Sequence, residues 1–289
     1  MPELPEVEVV KRSLETNIQN KIIKKVKIND LKLRYKVNKK NISKLINLKF
    51  SKIERRSKFL LFFFNKPIVM LVHLGMTGKF FFVDEKKRKF KTSFYYNLNE
   101  KKDKKYDRLI FFLKNKEKLV YNDVRKFGFI KLLDKTKINK NLHLFNLGPE
   151  PLSNDFNLRY FKDYIHQRKR LVKDLLMDQK FVSGLGNIYV NEILFFSKVK
   201  PTRKVKSLNN CEIVKIIKNT KKILSQSIRL GGASIKDFFS SNGKKGLFQQ
   251  HFKAYAREGK RCSNIDCNEK IIRSVISNRS SFYCLSCQK

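Results

Sequence analysis

Tryptophan is absent from these 289 residues and acidic side chains are scarce, with 25 Asp and Glu against 66 Lys and Arg, a formal net charge of +41. That excess is more than solubility needs and points to a polyanionic partner, nucleic acid first and a membrane surface or other acidic partner second. Part of it has another source, because Lys, Asn, Ile and Phe are all abundant, the bias an AT-rich genome imposes without selection on charge. Long apolar runs are missing too. The longest, "FLLFFF" and "IVMLVHLGM", are separated by Asn65-Lys66-Pro67 and are too short to span a bilayer. The N-terminus is acidic and lacks a basic segment before an apolar core, so no export signal is expected. His73, His143, His166 and His251 show no ligand spacing, and none is assigned to metal. Of the five cysteines, Cys211 stands alone and the other four lie beyond residue 260, which fits metal ligation in a reducing compartment better than a disulfide framework. The expectation is a soluble cytoplasmic protein with no membrane association.

What is present is ample for folding: 41% of the residues are hydrophobic, enough for the cores of two ordinary domains. Leu4, Val7, Val10, Leu14 and Ile18 recur at helical spacing and predict an amphipathic helix of about four turns. From Lys21 to Leu133 the pattern turns to short runs rich in Val, Ile and Phe, such as "KIIKKVKI", "KFFFV", "RLIFFL" and "FGFIKLL", which describe an antiparallel sandwich or barrel. Nine Lys or Arg fall between Glu85 and Lys105, read as a solvated loop. "LGPEPL", Leu147 to Leu152, marks a domain boundary. Helices follow near 158–167, 171–179, after Asn187 and over 209–230, the last with Ile213, Ile216, Ile217, Thr220, Leu224 and Ile228 on one face. Gly231-Gly232 ends it, and Ser234 to Lys245 reads as a loop.

Two constellations carry chemistry. Cys262 and Cys267 are separated by four residues, Cys284 and Cys287 by two, and the pairs by sixteen, a spacing that suits four thiolates around one structural Zn2+. Lys270, Arg273 and Arg279 lie inside this module, where a metal-pinned hairpin would present cations to phosphate. At the other end stands "MPELPEVE". With Met1 removed, Pro2 carries a secondary amine titrating near roughly 8, partly unprotonated at neutral pH and able to form an iminium ion with an electrophilic carbon. Glu3 could move a proton beside it, and Glu6 lies one turn along. The other reading is a plain helix start, since Pro and acids suit the first turn of any helix. The residues alone leave both open.

"PELPEVE", "RRSKFLLF", "HLGMTGKF", "NDVRKFGFI", "LGPEPL", "LMDQKFVSGLGNIYVNEILF", "GGASIKDF" and "RSSFYCLSCQK", in that order over essentially the whole chain, resemble bacterial formamidopyrimidine-DNA glycosylases. The resemblance implies an α+β multidomain fold: an N-terminal helix and β-sandwich (1–147), a hinge (148–152), a helix-two-turn-helix domain (153–252) and a zinc finger (253–289). It implies a base-excision repair enzyme that removes 8-oxoguanine and ring-opened purines and then cleaves the abasic strand as a lyase. Its partner is damaged duplex DNA, and it works as a monomer without a nucleotide cofactor. Pro2 is then the nucleophile at C1′, Glu3 the acid that assists sugar opening, and Glu6 a group that maintains the site on the DNA-binding side. Lys58 would contact phosphate and assist elimination, although before an apolar strand it also reads as a gatekeeper charge. Met76 and Phe127 resemble the wedges that fill the gap left by a flipped nucleotide, with Arg125 facing the orphaned base; singly, each also reads as a core or turn residue. Asn187 reads as a helix N-cap and, by resemblance, as a phosphate seat. Arg279 matches the arginine that grips phosphates beside the lesion. Arg168, Lys169 and Lys173 would line the DNA face, and Gly231 to Gly246 matches the loop that closes over the flipped base.

The chain departs from the family pattern in three places. The first cysteine pair is lengthened by two residues. Val124 stands where proline is common, and Lys126 replaces a second arginine, keeping charge but not bidentate geometry. Tyr106 occupies the place of a DNA-contacting histidine. The nearest rivals are the endonuclease VIII-like branch, which prefers oxidised pyrimidines, and a non-catalytic zinc-finger relative; "ELPE" and the Met76, Arg125, Phe127 set favour the purine branch.

Overall fold

The computed structural model describes residues 2–84, 104–233 and 247–289, and the backbone of 89–91. The loop expected between Glu85 and Lys105 and the segment from Ser234 to Gly246 lie largely outside the described residues. The chain divides into two compact units, Met1–Phe145 with Gly231–Gly246, and Asn146–Leu230 with Leu247–Lys289.

The first unit opens with helix α1, Leu4–Ile18. Its start is a capping box built from two acids: Glu3 accepts from the Glu6 backbone, and Glu6 Oε2 accepts from Glu3 N at 2.9 Å. The stripe Leu4, Val7, Val10, Leu14, Ile18 is the buried face, each residue at most 2% exposed. Burying each contributes about 2 kcal/mol. The helix stops where Asn20 takes a left-handed conformation, φ 65°.

Two antiparallel sheets follow. One has the order β1 (Ile23–Ile28), β7 (Asp107–Leu113), β8 (Lys118–Asn122), β5 (Lys79–Val83), β6 (Lys89–Lys91); the other runs β2 (Phe50–Arg56), β3 (Phe59–Phe64), β4 (Ile68–His73), β9 (Phe129–Asp134). A short helix α2, Lys39–Ser43, precedes β2. Alternation decides the faces: Leu60, Phe62 and Phe64 of β3 join Phe80, Phe111 and Tyr121 in one core with Val7, Val10, Leu14 and Ile18 of α1, and the Phe62 and Phe80 rings meet at 5.5 Å.

The second unit is helical: α3 (Leu158–Ile165), α4 (Val172–Met177), α5 (Asn187–Phe196) and α6 (Asn210–Arg229). The α5 sequence is apolar nearly all round, and eight of its residues, Ile188 to Phe195, are buried. Asn209 and Glu212 form a reciprocal capping box that starts α6. The "LGPEPL" stretch, expected as a hinge, is bonded into this unit: Gly148 N donates to Gln179 O and Ser183 N to Pro149 O. A side chain at position 148 would collide with the Phe181 carbonyl at 2.4 Å. The unit ends in a hairpin, β10 (Ile272–Ile276) and β11 (Arg279–Tyr283), closed by Ser277 and Asn278, both at positive φ. No helix among the described residues is long and apolar enough to cross a membrane.

Candidate active site and nucleic-acid interface

In the first unit, Pro2 and Glu3 are buried at the mouth of α1, Glu3 only 4% exposed. Glu6, expected on the DNA side, is 1% exposed. One of its oxygens takes Glu3 N and the other takes Ala233 N at 2.9 Å, so its carboxylate holds the terminus and residues 231–233 in place instead of facing solvent. Gly232, at φ +81°, leaves only 3.0 Å between a would-be Cβ and Glu6, and Gly231 beside it is also at positive φ, 77°. Lys58 is 7% exposed and follows Ser57 in the β2–β3 turn. Arg55 fixes that turn to α1, donating to Glu8 at 2.9 Å and to Ser57 O at 3.0 Å. The paired cations hold the Glu8 carboxyl below its ordinary range against the opposing effect of burial, the largest contribution. Lys58 and Arg34 also act on His73: burial first, then these cations, push its imidazole down to about 4, so it is neutral at pH 7 and its Nδ1 accepts from Gly75 N.

Met76 and Phe127 are 40% and 45% exposed, unusual for large apolar side chains on two neighbouring turns. The turns interlock, since a Cβ on Gly75 would sit 2.4 Å from the Phe127 carbonyl carbon. Arg125 is exposed and stacks its guanidinium over the Phe127 ring at 4.6 Å. Together with Arg34 and His73 they line a cavity of about 560 Å³. Lys126 adopts φ 58° and pairs with Asp30 at 2.7 Å, so its charge turns away from the role of a second arginine fork. Tyr106 lies in a 3₁₀ turn with Lys105 and Arg108 over its ring at 4.9 and 5.6 Å, and its carbonyl accepts from Asp123 N.

In the second unit the expected cap is displaced by one residue. Gly186 is the N-cap of α5, and Asn187 is its first helical residue. Its Nδ2 donates to Ser280 O at 2.9 Å and its Oδ1 is buried without a hydrogen-bond partner, so the side chain links α5 to the β10–β11 hairpin instead of closing its own helix. Lys173, expected to line the DNA face, is 1% exposed. Its ammonium donates to Ser281 Oγ at 2.5 Å and Ser280 O at 3.1 Å, and burial lowers its pKa to about 8. It thereby orients the start of β11, where Arg279 is exposed. Arg170, Lys180 and Arg279 share a cavity of about 690 Å³ with Asp174 and Asp178, and Arg170 is held by Asp178 at 2.6 Å. Arg168 and Lys169 are exposed in the α3–α4 loop, Arg168 stacked on Tyr164 at 4.3 Å.

The four cysteine sulfurs Cys262, Cys267, Cys284 and Cys287 lie within 4.8 Å of one another. Two of their separations are 3.9 and 3.6 Å. A tetrahedron with metal–sulfur bonds of about 2.3 Å has sulfur–sulfur edges of about 3.8 Å, so the set fits a closed four-thiolate metal site. Burial pushes the Cys284 thiol up to about 12 and raises Cys262, whereas the Glu269 backbone draws Cys267 down.

Several supporting groups escaped the sequence reading. Glu192 accepts from the backbone N–H groups of Lys253, Ala254 and Tyr255 at 2.7 to 2.9 Å, and Asn191 Oδ1 from Phe282 N at 2.7 Å. Burial raises the Glu192 carboxyl against those three bonds. Gln288 bonds Cys284 N and Val199 O. Asn191 and Glu192 within the otherwise apolar "IYVNEILFF" were the available signal for the first two of these.

Residues 1–130 match the formamidopyrimidine-DNA glycosylase N-terminal domain, and residues 147–239 the formamidopyrimidine-DNA glycosylase H2TH domain. A formamidopyrimidine-DNA glycosylase of Rickettsia bellii is 39% identical over 289 residues, covering all of both chains, and one of Roseobacter denitrificans is 35% identical with the same coverage. Among solved structures, wild-type Lactococcus lactis Fpg in complex with N7-benzyl-Fapy-dG containing DNA superposes with a TM-score of 0.85 at 29% identity over all of both chains. A complex of the same enzyme with abasic-site DNA gives 0.85 and 29% over 99% of each. With both family domains matched in order and full-length relatives above one-third identity, this chain belongs to the formamidopyrimidine-DNA glycosylase family.

Proposed function

We propose that this protein is a base-excision repair glycosylase and abasic-site lyase that binds damaged duplex DNA and excises 8-oxoguanine and ring-opened purines. The observation that carries the reading is the chain terminus, where a buried proline heads a helix whose first turn is closed by two buried carboxylates. Once Met1 is removed, the Pro2 nitrogen attacks C1′ of the damaged nucleotide. The glycosidic C–N bond breaks, the base leaves with a proton, and Glu3 protonates the sugar oxygen as the ring opens to an iminium ion. Loss of the acidified C2′ proton expels the 3′ phosphate, and a second elimination expels the 5′ phosphate. Lys58 and Arg279 supply positive charge to those leaving groups.

Met76 and Phe127 fill the space of the everted nucleotide, and Arg125, with donors only, meets the acceptors of the opposite cytosine. Asn187, Arg168, Lys169 and the hairpin steered by Lys173 hold the phosphate backbone, and Tyr106 takes the place of a histidine contact. Functionally the chain is parsed into a catalytic domain (1–147), a hinge (148–152), a helix-two-turn-helix domain (153–252) and a zinc finger (253–289). The four cysteines hold one structural zinc ion that stiffens the finger. The enzyme acts as a monomer, without a nucleotide cofactor, at the bacterial nucleoid.

Borohydride reduction during turnover tests the nucleophile. A covalent adduct with 8-oxoguanine duplex is expected from the processed chain and none from Pro2→Gly or a form retaining Met1. An adduct that survives in Pro2→Gly would place the nucleophile elsewhere.

A further inference from the structure

Asp123 is fully buried, yet no step above uses it. Its Oδ1 accepts from Thr77 Oγ1 at 2.5 Å, in the turn that carries Met76. Its Oδ2 accepts from Gly128 N at 2.9 Å, at the end of the turn that carries Arg125 and Phe127, and from the Tyr121 hydroxyl at 3.4 Å. The Thr77 hydroxyl oxygen in turn accepts from Arg125 N at 2.9 Å. One carboxylate thus reaches both turns, and one hydroxyl closes the circuit between them. The backbone of Asp123 is fixed as well, its carbonyl taking Arg108 Nε at 2.8 Å while Arg108 and Lys126 converge on Asp30 at 3.1 and 2.7 Å.

Two residues of the turn make such support useful. Val124 does not restrict the backbone as a proline would, and Lys126 sits at φ 58°, a conformation that a lysine keeps only where its surroundings hold it. A wedge that flexes on entering the base stack gains less from the gap it fills, and eversion already costs a few kcal/mol. A buried carboxylate with several donors is rigid because freeing any of them leaves a buried polar group unpaired.

We propose that Asp123 is the positioning residue of the wedge, a buried clamp that locks the Met76 turn to the Arg125–Phe127 turn so that the three side chains enter the duplex as one body. The proposal rests on reading those three residues as the wedge. Its test compares Asp123→Asn, which keeps shape but presents an amide where two acceptor oxygens stood, and Thr77→Val, which deletes the bridging hydroxyl, with Phe127→Ala and Met76→Ala.

Single-turnover excision of 8-oxoguanine from a duplex is expected to fall on the order of tenfold to a hundredfold in both clamp variants. Cleavage at a preformed abasic site should stay within about threefold of wild type, because an abasic sugar has no base to unstack. Thr77→Ser should restore excision. Equal loss of both reactions, or failure of serine to rescue, reduces Asp123 to a folding residue and overturns the clamp. Normal excision by the clamp variants alongside impaired Phe127→Ala and Met76→Ala also overturns it and leaves the wedge standing. Normal excision by Phe127→Ala and Met76→Ala overturns the wedge reading itself, and the clamp with it.

Discussion

Burial first, and the charges of Lys58 and Arg34 second, hold the His73 imidazole neutral, and its pKa of about 4 makes a stability prediction with a definite sign. The unfolded chain binds a proton near 6.5, and the folded chain does not until about 4. Between those values the unfolded state holds more protons, so stability is lost as pH falls. From pH 7 to 5 the contribution of this one group is a loss of about 2 kcal/mol. Urea melts across that range should show it, and His73→Asn should flatten the dependence; an unchanged slope would contradict the buried neutral imidazole. Lys173 makes a different case, a buried ammonium whose pKa burial lowers to about 8 and which donates to three oxygens of the hairpin. Lys173→Met should remove the charged donor from Ser280 O and Ser281 Oγ at a cost of about 2 kcal/mol and weaken DNA binding by displacing Arg279, read by fluorescence anisotropy.

At the level of elements, the β10–β11 hairpin is supported by a small core of Phe195, Ala254, Ile271 and Phe282 grouped around the cysteines. Such a core is too small to hold without its metal, and structural zinc sites contribute their binding energy directly to folding. Chelation should therefore unfold the finger, abolish DNA affinity in anisotropy titrations and leave the sandwich signal in far-UV circular dichroism largely intact. Retained affinity after metal removal would sink the assignment. Helix α1 is sturdier: Leu14→Ala in its buried stripe should cost about 3 kcal/mol.

Across the whole molecule, charge governs association. With 66 Lys and Arg against 25 acids, log affinity should fall linearly with log salt at a slope of about −0.9 per phosphate neutralised. Arg279→Ala should reduce that slope by about one, uniformly across sequences. Lesion choice is a separate matter: faster excision of thymine glycol than of 8-oxoguanine in steady state would move the protein to the pyrimidine-preferring branch.

The helix stripes, the strand runs and the cysteine spacing were legible in the sequence because period and spacing are local properties of a chain. The terminal proline was visible but ambiguous, since a helix start and a reactive amine call for the same residues. Which charges face outward was not legible. Glu6 and Lys173 look like surface groups in sequence and are buried, because their partners, Ala233 and Ser281, lie 227 and 108 residues away. The same holds for Asp123 with Thr77, and for Glu192 with three backbone amides. Sequence by itself determined the periodic elements and the metal spacing; only the tertiary structure decided which polar groups touch solvent and which position the groups that do, because desolvation and pairing depend on contacts between distant parts of the chain.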